Sequence, residues 1–201
     1  MLDSLRPHVQ TLMHPIVEAF DFLGLTPNSL SILSFSSAVL SGILFFHSKY
    51  HHFLLLLAGF FVFLNALFDA ADGALAREKN TADSKGDFLD HVLDRYSDIF
   101  IVCGIFFGGY APWEIGVLAV TGVIMSSYLG TQAQAVGIGR YYGGVFGRAD
   151  RLIILIFACP LNFFYPDPVF GFTILGWVLI VLGIGGHFTA VQRFFYVWKR
   201  L

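Results

Sequence analysis

In residues 53–68 the only polar side chain is Asn65, and this stretch runs without a break into Asp69 and Asp72. Further on the order reverses. Asp87, Asp90, Asp94 and Asp98 lead into the apolar residues 99–107. Apolar runs of this length are core or membrane helices rather than loops. Carboxylates are costly beside them, so a cluster of acids there marks a functional site.

Composition supports the membrane reading. The chain has 201 residues, which suits a single domain. It is 56% hydrophobic and only 13% charged, with 23 Phe. A soluble domain carries roughly 25% charged residues, so this chain cannot cover a water-facing surface. A net charge of −2 gives no electrostatic footprint for nucleic acid, and none is expected as a partner. Cys103 and Cys159 both lie in apolar segments and read as small core side chains.

The predicted fold class is an all-α integral membrane protein, with six transmembrane helices preceded by an N-terminal amphipathic interfacial helix. Residues 1–26 form the interfacial part and 27–200 the six-helix bundle of one domain spanning 1–201. At the N-terminus, Leu2, Leu5, Val9, Leu12, Met13, Ile16, Val17 and Phe20 recur at helical spacing. A basic region leading into a continuous apolar one is lacking, so this is not read as a signal peptide. Pro15 is expected to kink or split the helix. Spans are expected at 27–46, 53–78, 86–110, 115–139, 148–164 and 169–191. Six spans put both termini on one side, together with the loops at 78–86 and 140–151. Of the 12 Lys and Arg, only Lys49 falls in an opposite loop. The bias of positive charge places the termini and the acid cluster on the cytoplasmic face of the cell membrane.

Asp69 and Asp72 are three apart on one predicted helix, and Asp90 and Asp94 four apart on the next, so each pair shares a face. A short connection is expected to pair the two helices antiparallel and bring the four carboxylates together. Such a set must protonate or recruit cations. Hard oxygen donors favour Mg²⁺, Mn²⁺ or Ca²⁺. Ion pairing alone does not account for the cluster, because seven Asp between 69 and 98 outnumber Arg77, Lys79, Lys85 and Arg95. Gly73, Ala74, Ala76 and Gly86 keep the surroundings small, and Arg77 is placed to meet a phosphate or an aspartate. An acid-lined cation transporter and a metal-dependent phosphohydrolase are the rival readings of these acids.

The pattern Asp69-x2-Asp72-Gly73-x2-Ala76-Arg77-x8-Gly86-x3-Asp90-x3-Asp94 resembles the signature of the CDP-alcohol phosphatidyltransferase family at every defined position. The resemblance implies transfer of a lipid phosphate from a CDP-linked lipid to a hydroxyl, with release of CMP. It implies two Mg²⁺ ions, for which Mn²⁺ can stand in. Asp69, Asp72 and Asp90 would hold one, and Asp69, Asp90 and Asp94 the second, with Asp94 also the catalytic base. Gly73, Ala76, Arg77, Asp83 and Gly86 fall at positions for the CDP-lipid, as does Pro27-Asn28-Ser29-Leu30. The latter also reads as a plain helix start. Asp83 departs from the small hydroxyl common there in relatives, and Thr81 or Ser84 are candidate substitutes. A homodimer in the lipid bilayer is the implied assembly.

For the acceptor, Arg140, Arg148 and Arg151 form a basic group on the side of the acids. This points to a phosphorylated polyol, or else to ordinary positive-inside bias. Arg148-x2-Arg151-Leu152 is similar to an element of the inositol-phosphate-accepting branch of the family, and the archaeal members of that branch are the most alike. Where bacterial members carry a Lys and an Arg, this chain has Gln132 and Gln134, which can hydrogen-bond polyol hydroxyls. Glycerol phosphate, serine and free inositol are the alternative acceptors.

Overall fold

The computed structural model describes residues 6–79 and 83–201, and of residues 6–12 the backbone alone. Thr81, and Leu2 and Leu5 of the N-terminal stripe, lie outside the described residues. Among these there are seven helices and no strand: α1 (Arg6–Phe22), α2 (Pro27–His47), α3 (Leu54–Glu78), α4 (Ser84–Phe107), α5 (Trp113–Ala135), α6 (Arg148–Phe164) and α7 (Ile174–Trp198). Helix α1 is continuous through Pro15, so of the expected kink or split the split does not occur. Pro15 lies on the exposed side, where a carbonyl left without its N–H donor faces outward. Helix α5 stops at Ala135, short of the predicted end, because Gly137 and Gly139 take positive φ and turn the chain.

Four helices, α2, α3, α5 and α7, are long and apolar enough to cross a membrane. Among the described residues, these are four of the six predicted spans. Helix α4 carries too many acids on its first turns. Helix α6 has 17 residues, about 26 Å at 1.5 Å per residue, slightly short of a hydrocarbon core of about 30 Å.

The six helices α2–α7 pack as a closed ring in the order α2, α3, α6, α7, α5, α4 and back to α2. Leu55, Val62, Ile101, Ile105, Val123, Leu155, Leu179 and Leu182 meet inside it. Consecutive helices α3 and α4 are not a close-packed pair, as the short connection had led us to expect. Each instead lies along α2. The α2 face toward α3 carries buried serines: Ser34 exchanges hydrogen bonds with Asn65, and Ser41 donates to the Ala58 carbonyl at 2.9 Å. Such bonds join helices where no hydrophobic difference with lipid exists to do it. Outside the ring, α1 docks on α3 through Met13 and Val17, which pack with Leu30, Ala71 and Leu75. Phe22 and Leu23, at the end of α1, are exposed.

Two crossings depend on glycine. A Cβ on Gly104 of α4 would stand 2.6 Å from the Gly42 Cα of α2, and one on Gly186 of α7 would stand 2.5 Å from the Gly122 carbonyl carbon of α5. Both contacts are backbone to backbone, so nothing flexible can give way. Gly104→Ala is therefore expected to lower the thermal midpoint of the detergent-solubilised protein by several degrees, an overpacking cost of about 1–3 kcal/mol. An unchanged midpoint would show that α2 and α4 are not held by this crossing.

Candidate active site

The carboxylates meet because α3 and α4 are held apart. Their ends and the start of α2 leave a cavity of about 690 Å³ between them. Asp69 and Asp72 enter it from the last turns of α3, and Asp90 and Asp94 from the first turns of α4. Asp69, Asp72 and Asp90 each offer an oxygen within 4.8 Å of the other two. Asp72 is 6% exposed, and its Oδ2 accepts a 2.6 Å hydrogen bond from the Ser31 hydroxyl of α2. Neither Asp72 nor Asp90 has a lysine or arginine partner among the described residues. Three converging carboxylates, two of them without a lysine or arginine partner and all hard oxygen donors, fit a divalent ion of the Mg²⁺ or Mn²⁺ kind. Asp94 does not belong to this trio. Its Oδ1 lies 2.7 Å from Nη1 of Arg148, which also contacts Asp69.

The walls of the cavity contain most of the residues matched to the donor. Pro27, Asn28, Gly73, Ala76, Arg77, Asp83 and Gly86 all line it. A Cβ on Gly86 would stand 3.1 Å from Asp83 Oδ1 and 3.4 Å from Asn28 Oδ1, so the bare backbone lets the starts of α2 and α4 converge. Asp83 is the N-cap of α4 and accepts from the Gly86 N–H at 2.7 Å. The acid thus serves as a helix cap, a role for which Asp is well suited. Arg77 folds back so that its Nη1 would be 3.2 Å from a Cβ on Gly73. Two candidates turn away. Ser29 closes a capping box with Thr26, and Leu30 is fully buried against α1.

The three arginines do not form one patch. Arg140, in the loop before α6, lines the outer cavity with its Nη1 3.8 Å from Asp87 and its guanidinium over the Tyr142 ring. Arg148 is 14% exposed at its side chain and reaches the acids from α6. Arg151 is 3% exposed and its guanidinium is used inside the ring. It donates to Asp98 at 2.9 Å and to the Val123 carbonyl and Ser126 Oγ of α5 at 3.2 Å. Gln132 is half-buried near the end of α5, and Gln134 is exposed.

Several residues at the site escaped the sequence reading. Ser31 is 41 positions from Asp72, and no spacing rule joins them. Asp87, Lys79, Thr26 and Tyr142 also line the cavity, and Lys79 pairs with Asp21 of α1. Arg193 of α7 is buried, with hydrogen bonds to the Ser126, Tyr142 and Gly143 carbonyls. The one available signal was an arginine set within an apolar helix. The His91 ring lies 3.6 Å from both Asp87 and Asp90.

Fold and site together define a membrane enzyme with a carboxylate-built cation centre at one end of its helical ring. Residues 24–188 match the sequence profile of the CDP-alcohol phosphatidyltransferases, and the chain belongs to that family. It is 33% identical to the archaetidylinositol phosphate synthase of Pyrococcus horikoshii, over 100% of this chain and 98% of that protein. Its fold is similar to the crystal structure of the Mycobacterium tuberculosis phosphatidylinositol phosphate synthase with CDP-DAG bound. The TM-score is 0.76 at 28% identity, covering 92% of each chain. For that enzyme in complex with manganese and citrate the TM-score is 0.77 at 28% identity, covering 92% of this chain and 88% of the other. The family resemblance read from the aspartate signature is borne out. The protein is a transferase of phospholipid biosynthesis, and the cation-transporter reading falls away.

The burial of Arg151 generates a prediction. Arg151→Ala leaves Asp98 charged and unpaired inside the ring, a loss of about 3–5 kcal/mol. Its main effect is expected in thermal stability, with the acceptor KM of the surviving folded protein little changed. A stable Arg151→Ala protein with a greatly raised acceptor KM would instead place this guanidinium at the acceptor.

Proposed function

We propose that this enzyme transfers the lipid phosphate of a CDP-linked lipid, phosphatidyl or archaetidyl, to a hydroxyl of a phosphorylated polyol, namely inositol phosphate, and releases CMP. The observation that carries the reading is the trio Asp69, Asp72 and Asp90 converging in a cavity whose walls are the donor-matched Asn28, Gly73, Arg77 and Gly86. The acceptor rests on the relatives, since both the archaeal relative and the structural neighbour are named inositol-phosphate-lipid synthases.

Divalent cations, Mg²⁺ or Mn²⁺ and two in number, supply neutralisation of the donor diphosphate and of charge growing on the leaving CMP. Asp69, Asp72 and Asp90 would hold the first, and Asp69, Asp90 and Asp94 the second. The neighbour's manganese complex supports metal use of this kind. Gly73 and Gly86 keep the cavity walls bare, and Arg77 pairs with donor phosphate. The acceptor oxygen forms a bond to the lipid-side phosphorus. The bond from that phosphorus to CMP breaks, and its electron pair leaves with CMP. Asp94 takes the hydroxyl proton during the attack. Arg148 and Arg140 supply positive charge for the acceptor phosphate, with Gln132 toward its hydroxyls.

In the same reading the whole chain is one domain crossing the cell membrane six times, with α4 and α6, which expose apolar side chains such as Phe107 and Phe157, as the other two spans. The termini and the site face the cytoplasm, as the distribution of Lys and Arg supports. Exposed apolar side chains on α5 and α7, including Met125 and Ile184, offer packing surface for a homodimer.

The test is CMP release by purified protein from a CDP-linked lipid, with inositol phosphate, glycerol phosphate, inositol or serine offered in turn. Release is expected to require both Mg²⁺ and acceptor, and to be fastest with inositol phosphate. Preference for another acceptor would correct the substrate, and release without acceptor would make the protein a hydrolase. Asp94→Asn is expected to slow transfer by about 10²–10⁴-fold with CDP-lipid binding retained. Near-normal turnover would remove the base assignment.

A further inference from the structure

Four carboxylates face the cavity, yet they are divided. Asp69, Asp72 and Asp90 converge on one point, whereas Asp94 and the Oδ1 of Asp69 are bridged by Nη1 of Arg148. Nε and Nη2 of Arg148 are buried and have no hydrogen-bond partner among the described residues. Its Nε is 3.9 Å from Asp98 Oδ1, too long for a hydrogen bond, and Asp98 is already paired to Arg151 at 2.9 Å. A guanidinium carries five donors in a planar fork and is rarely left with so few partners when buried. Arg148 is also the first residue of α6, following Gly147, and Gly144 in the preceding loop has φ +123°. Its side chain therefore springs from the end of α6 next to the loop that precedes it.

We propose that Arg148 is a built-in cation that competes with a second divalent ion for Asp69 and Asp94, and that it must leave them before Asp94 can join the metal site. The inference deepens the phosphatidyltransferase reading and rests on it. Charge counting supports the competition. One divalent ion on the Asp69–Asp72–Asp90 trio, with Arg148 on Asp94 and Arg95 Nη2 3.3 Å from Asp94 Oδ2, already balances the four carboxylates, so a second divalent ion makes Arg148 surplus. Two divalent ions balance all four, and Arg148 then has no carboxylate left to neutralise. Its unpaired donors fit an incoming phosphate oxygen. By linkage, a phosphate that draws Arg148 away strengthens binding of the second cation, and that cation strengthens phosphate binding by the same factor. Arg148 would thereby keep the proton-accepting Asp94 occupied until an acceptor phosphate is present.

The competition can be read without turnover, by Mn²⁺ titration of the full chain in detergent followed by electron paramagnetic resonance. Wild-type protein is expected to bind one ion tightly and a second weakly. Arg148→Gln should tighten the second by at least about fivefold and leave the first unchanged. Arg148→Lys, which keeps a charge but loses the fork, should fall between, and decides the matter if the glutamine variant does not fold. Adding Asp94→Asn to either variant should abolish the second ion. A second site that is unchanged or weakened on loss of the guanidinium overturns this inference while leaving the phosphatidyltransferase reading in place. Absence of any Mn²⁺ binding by wild-type protein would overturn both.

Discussion

Carboxylates placed against apolar helices are the most expensive groups in this molecule, and the arrangement of the ring follows from how they are held. An acid removed from water is stable only with hydrogen bonds, a cationic partner or a metal. Hydrogen bonds and cationic partners are divided among the acids. Asp72 receives the Ser31 hydroxyl, Asp98 receives Arg151, and Asp94 shares Arg148 with Asp69. Asp69, Asp72 and Asp90 each also offer an oxygen to one point, within 4.8 Å of the other two. The separation between structural and reactive acids is thus a matter of which partner each has.

That assignment explains why α2 lies between α3 and α4. Had those helices packed directly, their acids would have been forced together with no room for substrate. With α2 between them, its serines join it to α3 and its glycine at position 42 lets α4 approach. The space left at the end becomes the cavity. Helix α6, on the far side of α3, contributes the arginines from within the ring. Arg151 ties α6 to α4 and α5 at once, so the position of Arg148, one turn earlier, is set by a buried anchor.

Much of the site was legible because its residues lie close in sequence on regular helices. Spacings of three and four place Asp69 with Asp72 and Asp90 with Asp94 whatever the rest of the chain does. The flanking Gly73 and Gly86 read as positions where a backbone must come close, and both line the cavity. The arginines were less legible. Their proximity in sequence suggested one basic surface, but the rise of one turn along α6 takes Arg151 deeper into the ring, to Asp98, and leaves Arg148 at Asp94 and Asp69, while Arg140 belongs to a separate loop. Asp83 was similarly ambiguous, since a helix cap and a ligand contact draw on the same residue types.

The sequence by itself determined the helices, their membrane character, the acid pairs and the family. Each of these depends on local periodicity, composition or short-range spacing. Only the tertiary structure decided the ring order, the gap between α3 and α4 and the choice of cation for each carboxylate. Those depend on contacts between residues far apart in the chain, such as Ser31 with Asp72 and Arg151 with Asp98. No local pattern encodes such a contact. It exists because a buried charge must find a partner, and packing settles which partner is within reach.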